Sequence, residues 1–271
     1  MSDVKTTVRT LRVFEVFADT KHPLTLSELA SKIRVPASSC LLIIRTLLNQ
    51  GYLFEEGRNL YYPTGRMREI CNMIGEQDFV AMRLNSDIEK LRDETSETVT
   101  LAKRQGANLI YLSVAESSQP VRATVRVGRI RPLHATATGK ALLSLLNPEE
   151  IDALLMQAPL EKNTRRTITS RSKLVREIET SSELGWFFGF GESYPDLAAV
   201  SVPLLIDNSA YAVTIMGPSQ RIEPNAAKLA ERLLPLVKKY SSRSLPASAT
   251  TAKPRARKAT TTPSRKSAPA K

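Results

Sequence analysis

Apolar residues recur with a helical period after residue 24, and this pattern predicts two successive helices. Thr25 and Glu28 have the spacing of a capping box, in which a hydroxyl and a carboxylate bind free amides at the start of a helix. The apolar face of this first helix has positions i, i+3, i+4 and i+7, which are Leu26, Leu29, Ala30 and Ile33. Pro36 cannot continue a helix, so we expect the helix to end just before it.

A second helix is predicted to begin at Ala37 or Ser38 and to end before Gly51. Its predicted buried face consists of Cys40, Ile43, Ile44, Leu47 and Leu48. Residues 52–55 and 60–62 are β-prone runs on either side of a turn, which indicates a two-stranded hairpin. This order is that of a winged helix-turn-helix, whose second helix enters the DNA major groove. A generic three-helix core could share the pattern.

The flanking sequence predicts three more helices. A first helix is expected to pack behind the helix-turn-helix through Val8, Leu11, Phe14 and Phe17, with Val13 and Val16 beside them. A linker helix over about residues 64–75 has an apolar side formed by Met67, Ile70, Cys71 and Ile74. A longer helix is predicted over about residues 78–95.

From residue 97 the hydrophobic period changes to two, which predicts β-strands. Strands are expected near residues 97–101 and over 109–114, 121–127, 186–190, 198–205 and 211–216, with a hairpin turn at Asp207-Asn208. Helices are expected over residues 138–146, 148–156 and 172–184, and from Pro224 to about Tyr240. Strands and helices mixed in this way, with hairpins, predict an α+β domain with an antiparallel sheet.

The composition argues against several classes of protein. No apolar run reaches the roughly 18 residues of a membrane span, and no signal peptide is visible, so we expect a cytoplasmic protein without a membrane partner. Cys40 and Cys71 lack metal-ligand spacing and are expected to be reduced thiols. No catalytic motif is present, so we expect no enzyme, no metal site and no cofactor. A hydrolytic site that combines His134 with Ser113 or Ser201 stays the alternative.

The positive charge is concentrated at the C-terminus. The chain of 271 residues has a net charge of +12, and residues 244–271 contain seven basic and no acidic residues, which leaves +5 for residues 1–243. The terminal segment is rich in Ala, Ser, Thr and Pro and is predicted to be disordered. Its cations favour a role as a non-specific DNA tether, and a tail that serves only solubility is the alternative.

Several short motifs between residues 4 and 240 have a characteristic order and spacing. They are residues 24–30, Gly51-Tyr52, 94–99, 110–112 with Glu116-Ser117, Val127-Gly128, 132–141, 167–169, Gly185-Trp186 and Gly217-Pro218. In this order they resemble the IclR-type bacterial transcriptional regulators. The resemblance implies a winged helix-turn-helix DNA-binding domain (1–63), a linker helix (64–77) and a GAF-like effector-binding and oligomerisation domain (78–243). The basic tail (244–271), predicted from its composition to be disordered, lies beyond the resemblance.

The resemblance also implies partners. Such regulators form homodimers or homotetramers, bind double-stranded operator DNA and respond to a small-molecule effector, commonly an organic or aromatic acid. Where the family usually has an acidic residue, a cysteine and two serines in its pocket, this chain has Gly189, Ala199, Thr214 and Met216. Ala37 and Leu42 stand where the recognition helix usually has basic residues.

The candidate DNA contacts are Arg9, Arg12, Thr25, Ser38, Ser39, Leu41, Leu42, Arg45 and Arg58. Arg45 could read guanine or hold a phosphate, and the two serines could bind phosphate or cap the helix. The two leucines are not needed for the buried face, so they could contact thymine methyl groups or pack against another helix. The remaining arginines would contact phosphates or form solvated surface.

The candidate ligand contacts are Ala123, Val125, Ala137, Thr138, Gly189, Phe190, Glu192, Ala199, Ser201, Thr214 and Met216. Ala137 and Thr138 precede a predicted helix, and their backbone amides could hold a carboxylate. Thr214 and Met216 lie two residues apart on one face of a predicted strand and are expected to line a cavity. Ordinary core packing is the alternative for each apolar residue in this set.

Overall fold

The computed structural model describes residues 3–75 and 79–241. The described residues form two compact units, divided between Ser86 and Asp87. None of the described helices is both long and apolar enough to cross a membrane. The basic segment 244–271 lies outside the described residues, so its predicted disorder stays a prediction.

The first unit is a winged helix. Its helices are α1 (Lys5–Thr20), α2 (Leu26–Ile33), α3 (Ala37–Asn49) and α4 (Arg66–Gly75). Strands β1 (Leu24–Thr25), β2 (Leu53–Glu56) and β3 (Leu60–Pro63) pair antiparallel in the order β1-β3-β2. The predicted capping box is confirmed, because the Thr25 amide donates to Glu28 Oε2 at 2.8 Å and the Glu28 amide donates to Thr25 Oγ1 at 3.3 Å.

The buried side of α3 agrees with the prediction. Cys40 and Ile44 are fully buried, and Ile43 and Leu47 are nearly so, whereas Leu48 is only half-buried. These side chains join residues of α1, α2 and the hairpin in one hydrophobic core. The core fixes which face of α3 points outward.

The buried side of α1 differs from the prediction. Val13 and Phe17 are buried, whereas Val8 and Leu11 are 43% and 57% exposed. The expectation that Val8 and Leu11 lie on the buried stripe is therefore wrong. A step of three residues falls about 60° short of a full helical turn, so residues nine positions apart lie on opposite faces.

The second unit has the predicted α+β architecture. Its helices are α5 (Phe79–Thr95, which begins in the first unit), α6 (Ala137–Leu143), α7 (Pro148–Gln157), α8 (Arg171–Leu184), α9 (Ser219–Ile222) and α10 (Ala226–Ser241). Its strands are β4 (Thr98–Gln105), β5 (Asn108–Ala115), β6 (Ile130–Pro132), β7 (Phe187–Phe190), β8 (Leu197–Ile206) and β9 (Ser209–Pro218). Within the described residues these six strands form one antiparallel sheet in the order β6-β5-β4-β9-β8-β7. The hairpin turn predicted at Asp207-Asn208 is confirmed, and both residues have the positive φ of a type I′ turn.

The strand predicted over residues 121–127 is absent from the sheet. Ala123 is buried and Val125 half-buried, while Val121 and Val127 are 68% and 63% exposed. The alternation therefore reflects an extended segment with one side facing inward. It does not indicate pairing with a neighbouring strand. The neighbouring edge of β5 pairs instead with the short strand β6, from Ile130 to Pro132.

Helix α6 packs closely on the sheet, against β8 and β9. Gly139 allows the first turn of α6 to lie against the backbone that precedes the helix, because a Cβ atom at this position would lie 2.0 Å from the Leu133 carbonyl oxygen. The α6 residues are all buried, and Thr136 caps the helix by accepting a hydrogen bond from the Gly139 amide at 2.8 Å. This packing holds the start of α6 beside β7 and β8.

Candidate functional site

The outward face of α3 presents an apolar side chain beside polar ones. Leu42 is 66% exposed, Ser38 and Arg45 are exposed, and Leu41 is half-buried. Pro36 occupies the N-cap position of α3. Ser38 is therefore inside the first turn of the helix and does not cap it.

The other predicted DNA contacts have differing accessibility. Arg12 is exposed on α1, Arg58 is exposed in the hairpin turn, and Arg9 is half-buried. The Thr25 hydroxyl already donates to Glu28 Oε2 at 2.8 Å within the capping box. Arg34, which is not among the predicted contacts, is exposed at the turn between α2 and α3 and has a positive φ of 58°.

A cavity of about 730 Å³ lies in the second unit beside the start of α6. Much of its wall is apolar, and the wall includes Tyr111, Leu197 and Pro218, which the sequence reasoning did not single out. The predicted ligand contacts that line it are Ala123, Val125, Ala137, Thr138, Gly189, Glu192, Ala199 and Met216. The structure thus brings together residues from four separate regions of the chain.

Three predicted ligand contacts lie outside the cavity wall. The Thr214 hydroxyl is 2.8 Å from the Thr138 hydroxyl and 2.8 Å from the Ser201 hydroxyl, so these groups form a buried chain behind Thr138. The ring of Phe190 lies 3.8 Å from the guanidinium of Arg166. Thr214 and Ser201 therefore reach the cavity only through Thr138.

Four arginines also line the cavity. Arg122 donates to Glu116 Oε1 at 2.8 Å, and Arg131 stacks 4.7 Å from the Tyr194 ring. Arg126 and Arg129 are exposed, and neither has an ion-pair partner among the described residues. Arg122 and Arg126 lie within the strand predicted over residues 121–127 and are not among the predicted ligand contacts.

The segment 121–129 carries three of these arginines and is held by contacts at both ends. Thr98 Oγ1 donates to the Ala123 carbonyl at 2.7 Å, and Arg221 Nη2 donates to the Val121 carbonyl at 2.9 Å. At the other end, the Gly128 amide donates to the Tyr111 carbonyl at 2.8 Å. The segment therefore forms one wall of the cavity while its middle stays outside the sheet.

A buried ion cluster borders the cavity. The Lys140 ammonium is fully buried and pairs with both Glu177 and Glu192, the second at 2.5 Å. Burial raises the pKa of the Glu192 carboxyl above its ordinary value, and the Lys140 ammonium opposes that rise. Of these three residues, only Glu192 lines the cavity.

His134 and Ser201, one of the two suggested hydrolytic pairs, are not hydrogen-bonded to each other in the described residues. His134 Nε2 lies 3.0 Å from the Glu161 carbonyl oxygen. The Ser201 hydroxyl is engaged by Thr214 and the Val213 carbonyl. The two side chains therefore have different partners.

Known proteins match this chain along both units. The family model "Bacterial transcriptional regulator IclR C-terminal" matches residues 73–242, and the model "IclR helix-turn-helix domain" matches residues 6–56. The HTH-type transcriptional regulator KipR of Bacillus subtilis is 30% identical over 200 residues, which are 74% of this chain and 80% of that relative. The probable transcriptional regulator SauR of Cupriavidus necator is 26% identical over 218 residues, covering 79% of this chain and 86% of that protein.

Solved structures share the fold. The crystal structure of the Thermotoga maritima IclR superimposes with a TM-score of 0.71 at 22% identity, covering 88% of this chain and 99% of that chain. The named relatives are transcriptional regulators, a class that is not enzymatic. The chain belongs to the IclR family of bacterial transcriptional regulators and combines a helix-turn-helix DNA-binding domain with a C-terminal effector domain.

Proposed function

We propose that this regulator senses a small organic acid in the cavity of its effector domain and thereby changes its affinity for operator DNA. The observation that carries the proposal is an apolar cavity of about 730 Å³ with four arginines in its wall. Small-molecule sites are usually mainly apolar and about 300–1,000 Å³ in volume, with a few placed polar groups. The cavity has both properties.

The charges around the cavity favour an anionic ligand. The wall has four arginines against two carboxylates, Glu192 and Asp196, and Glu192 is already paired with Lys140. Guanidinium groups bind carboxylates with two parallel hydrogen bonds. Arg126 and Arg129 are exposed and unpaired in the described structure, so they are the groups we expect to meet the acid.

We propose that the winged helix reads operator DNA through α3. Two copies related by a dimer axis would place two such helices on the half-sites of a pseudo-palindrome. Arg45 would contact a base or a phosphate, and Leu42 would lie against thymine methyl groups. Binding of this kind requires a homodimer or homotetramer, and it would take place at the chromosome, in the cytoplasm.

The ligand can act on DNA binding only through a difference in affinity. An acid that binds one arrangement of the DNA-binding pair more tightly than another shifts the population toward the first. By linkage, operator DNA then changes the affinity for the acid by the same factor. A ligand that regulates the protein therefore changes its own affinity when operator DNA is added, whereas a ligand without a regulatory effect does not.

The test uses the intact protein and a panel of organic and aromatic acids. Binding to the folded state should raise the melting temperature by mass action, and Trp186, the single tryptophan, gives a fluorescence signal from the effector domain. The double variant Arg126→Gln/Arg129→Gln should lose most of the shift. Lys173→Gln/Arg176→Gln, at two exposed positions of α8 outside the cavity wall, removes the same charge as the double variant and should retain the shift.

Two results would overturn the proposal. A shift unaffected by the double variant would place the acid elsewhere. A bound acid that leaves affinity for the selected operator sequence unchanged would remove the regulatory role. Operator sequences for this measurement come from selection of bound duplexes out of a random pool.

A further inference from the structure

The cavity wall contains a buried hydrogen-bond acceptor without a partner. The Glu192 side chain is 8% exposed, and its Oε1 atom pairs with the Lys140 ammonium at 2.5 Å. Its Oε2 atom has no hydrogen-bond partner within the described structure. Among the described residues, two other buried side-chain atoms lack a hydrogen-bond partner, on Thr100 and Arg171, and neither residue belongs to the cavity wall.

An unsatisfied carboxylate oxygen at this depth is energetically unfavourable. Buried polar atoms nearly always have hydrogen-bond partners, and a missing partner points to a water, ion or ligand that completes the site. Lys140 fixes one oxygen of Glu192 and thereby leaves the other one free to receive a donor. A ligand group that donates a hydrogen bond would satisfy it.

The charged groups of the cavity wall differ in their exposure to solvent. The guanidiniums of Arg126 and Arg129 are exposed, whereas Glu192 is buried. A ligand carboxylate placed next to Glu192 would meet a like charge in a water-poor environment, where electrostatic repulsion is strong. The acid group therefore belongs at the arginines, and the opposite end of the ligand belongs near Glu192.

We infer that the effector is a bifunctional acid, whose carboxylate binds Arg126 and Arg129 and whose hydroxyl or ammonium group donates a hydrogen bond to Glu192 Oε2. This inference rests on the proposed acid-sensing function. It makes Glu192 a specificity-determining residue that distinguishes hydroxylated or aminated acids from simple ones. Lys140 is then a positioning residue, because it acts on the ligand through Glu192.

Matched pairs of acids test the inference with intact protein. The probes are benzoates with hydroxyl or fluorine at the 2, 3 or 4 position, and hexanoates with a terminal hydroxyl or fluorine. Fluorine is close in size to a hydroxyl and cannot donate. We expect at least one hydroxylated acid to bind the wild-type protein about tenfold or more tightly than its fluorinated counterpart, because the fluorinated acid leaves the buried acceptor unpaired.

A variant and a matched control assign the preference to Glu192. Glu192→Gln keeps a carbonyl oxygen for Lys140 and replaces the free acceptor with an NH2 donor, so the preference should shrink toward equality. 4-(Aminomethyl)benzoate, whose ammonium can only donate, should lose the most affinity. Glu177→Gln also removes a carboxylate that pairs with Lys140, but Glu177 does not line the cavity, so the preference should persist.

The outcomes separate this inference from the proposed function. If acids bind but hydroxyl and fluorine are equivalent in the wild-type protein, or if Glu192→Gln keeps the full preference, the inference is wrong while acid sensing stands. If no acid in either series binds, acid sensing fails and the inference fails with it. A wild-type protein without the preference overturns the inference even if Glu192→Gln does not fold.

Discussion

Replacement of Lys140 by Met should destabilise the effector domain severely. Met is similar to Lys in length and lacks the charge, so it fills the same space. The change leaves Glu192, with a side chain 8% exposed, without a counter-ion, while Glu177 is 36% exposed and can turn toward water. The loss therefore comes mainly from one buried carboxylate.

The expected magnitude follows from that geometry. Breaking a buried ion pair by removing one partner costs about 3–5 kcal/mol. Glu192 can relieve part of the loss by taking up a proton, since burial already raises the pKa of its carboxyl, so we expect about 3 kcal/mol. For a domain of this size, that corresponds to a melting temperature lower by roughly 6–12 °C.

A lower pH should reduce the difference in stability between Lys140→Met and the wild-type protein. Without the ammonium, burial acts unopposed and the pKa of the Glu192 carboxyl rises further above its ordinary value. A carboxyl with a raised pKa in the folded state stabilises the fold in its protonated form, and this contribution disappears as the pH rises through the folded-state pKa. The deficit of Lys140→Met should therefore shrink as the pH is lowered from 8 toward 5.

Trp186 fluorescence during thermal unfolding measures the effect in the effector domain alone. Lys173→Met, at an exposed position of α8, is the control and should stay within about 0.5 kcal/mol of the wild-type protein. The double variant Lys140→Met/Glu192→Met removes the stranded charge and should recover more than half of the loss. A single variant as stable as the control, or a double variant no better than the single one, would refute the reasoning.

Four further predictions concern DNA, ligand, packing and the tail. Arg45→Ala should weaken binding to a selected operator by about 1–3 kcal/mol if Arg45 reads a base. Leu42→Ala should reduce discrimination at an A·T position. Unchanged affinity and selectivity in both variants, measured by fluorescence anisotropy, would contradict a DNA contact by α3. Met216→Asp should abolish any thermal shift produced by an acid, because it adds a third carboxylate to the cavity wall; a retained shift would place the ligand elsewhere. Gly139→Ala should lower the melting temperature of the effector domain more than Lys173→Met does, because its Cβ would lie 2.0 Å from a backbone oxygen; equal melting temperatures would show that α6 can move away without loss. Removal of residues 244–271 should make the slope of log K against log salt shallower by about 2 to 4 on operator and random DNA alike; equal slopes would leave only the solubility role for the tail.

Local patterns predicted the elements well. The capping box at Thr25, the break at Pro36 and the hairpin at Asp207-Asn208 depend on residues within four positions of each other, and all three are present. The α1 face was wrong because the apolar residues were counted in steps of three, which drift around a helix. A helical wheel would have separated Val8 from Phe17.

Long-range features could not be read from the chain in the same way. The extended segment at residues 121–127 has the alternation of a strand, and only the tertiary structure decides whether a neighbour pairs with it. Lys140 pairs with Glu177 and Glu192, which lie 37 and 52 residues away along the chain. Nothing local to Lys140 indicates partners at those distances, so the buried, unpaired carboxylate oxygen of Glu192 could not be predicted either.

The wall formed by residues 121–129 has a consequence for the kinetics of ligand exchange. The ends of the segment are tied by a few hydrogen bonds to Thr98, Arg221 and Tyr111, and its middle lies outside the ladder of the sheet. Opening it breaks those few bonds and leaves the six strands intact, so its opening free energy lies below that of global unfolding. Its amides should therefore exchange with deuterium earlier than those of β4 and β9. A ligand that bridges the arginines of this wall to Glu192 would slow that exchange. Its dissociation would then be limited by the rate at which the wall opens.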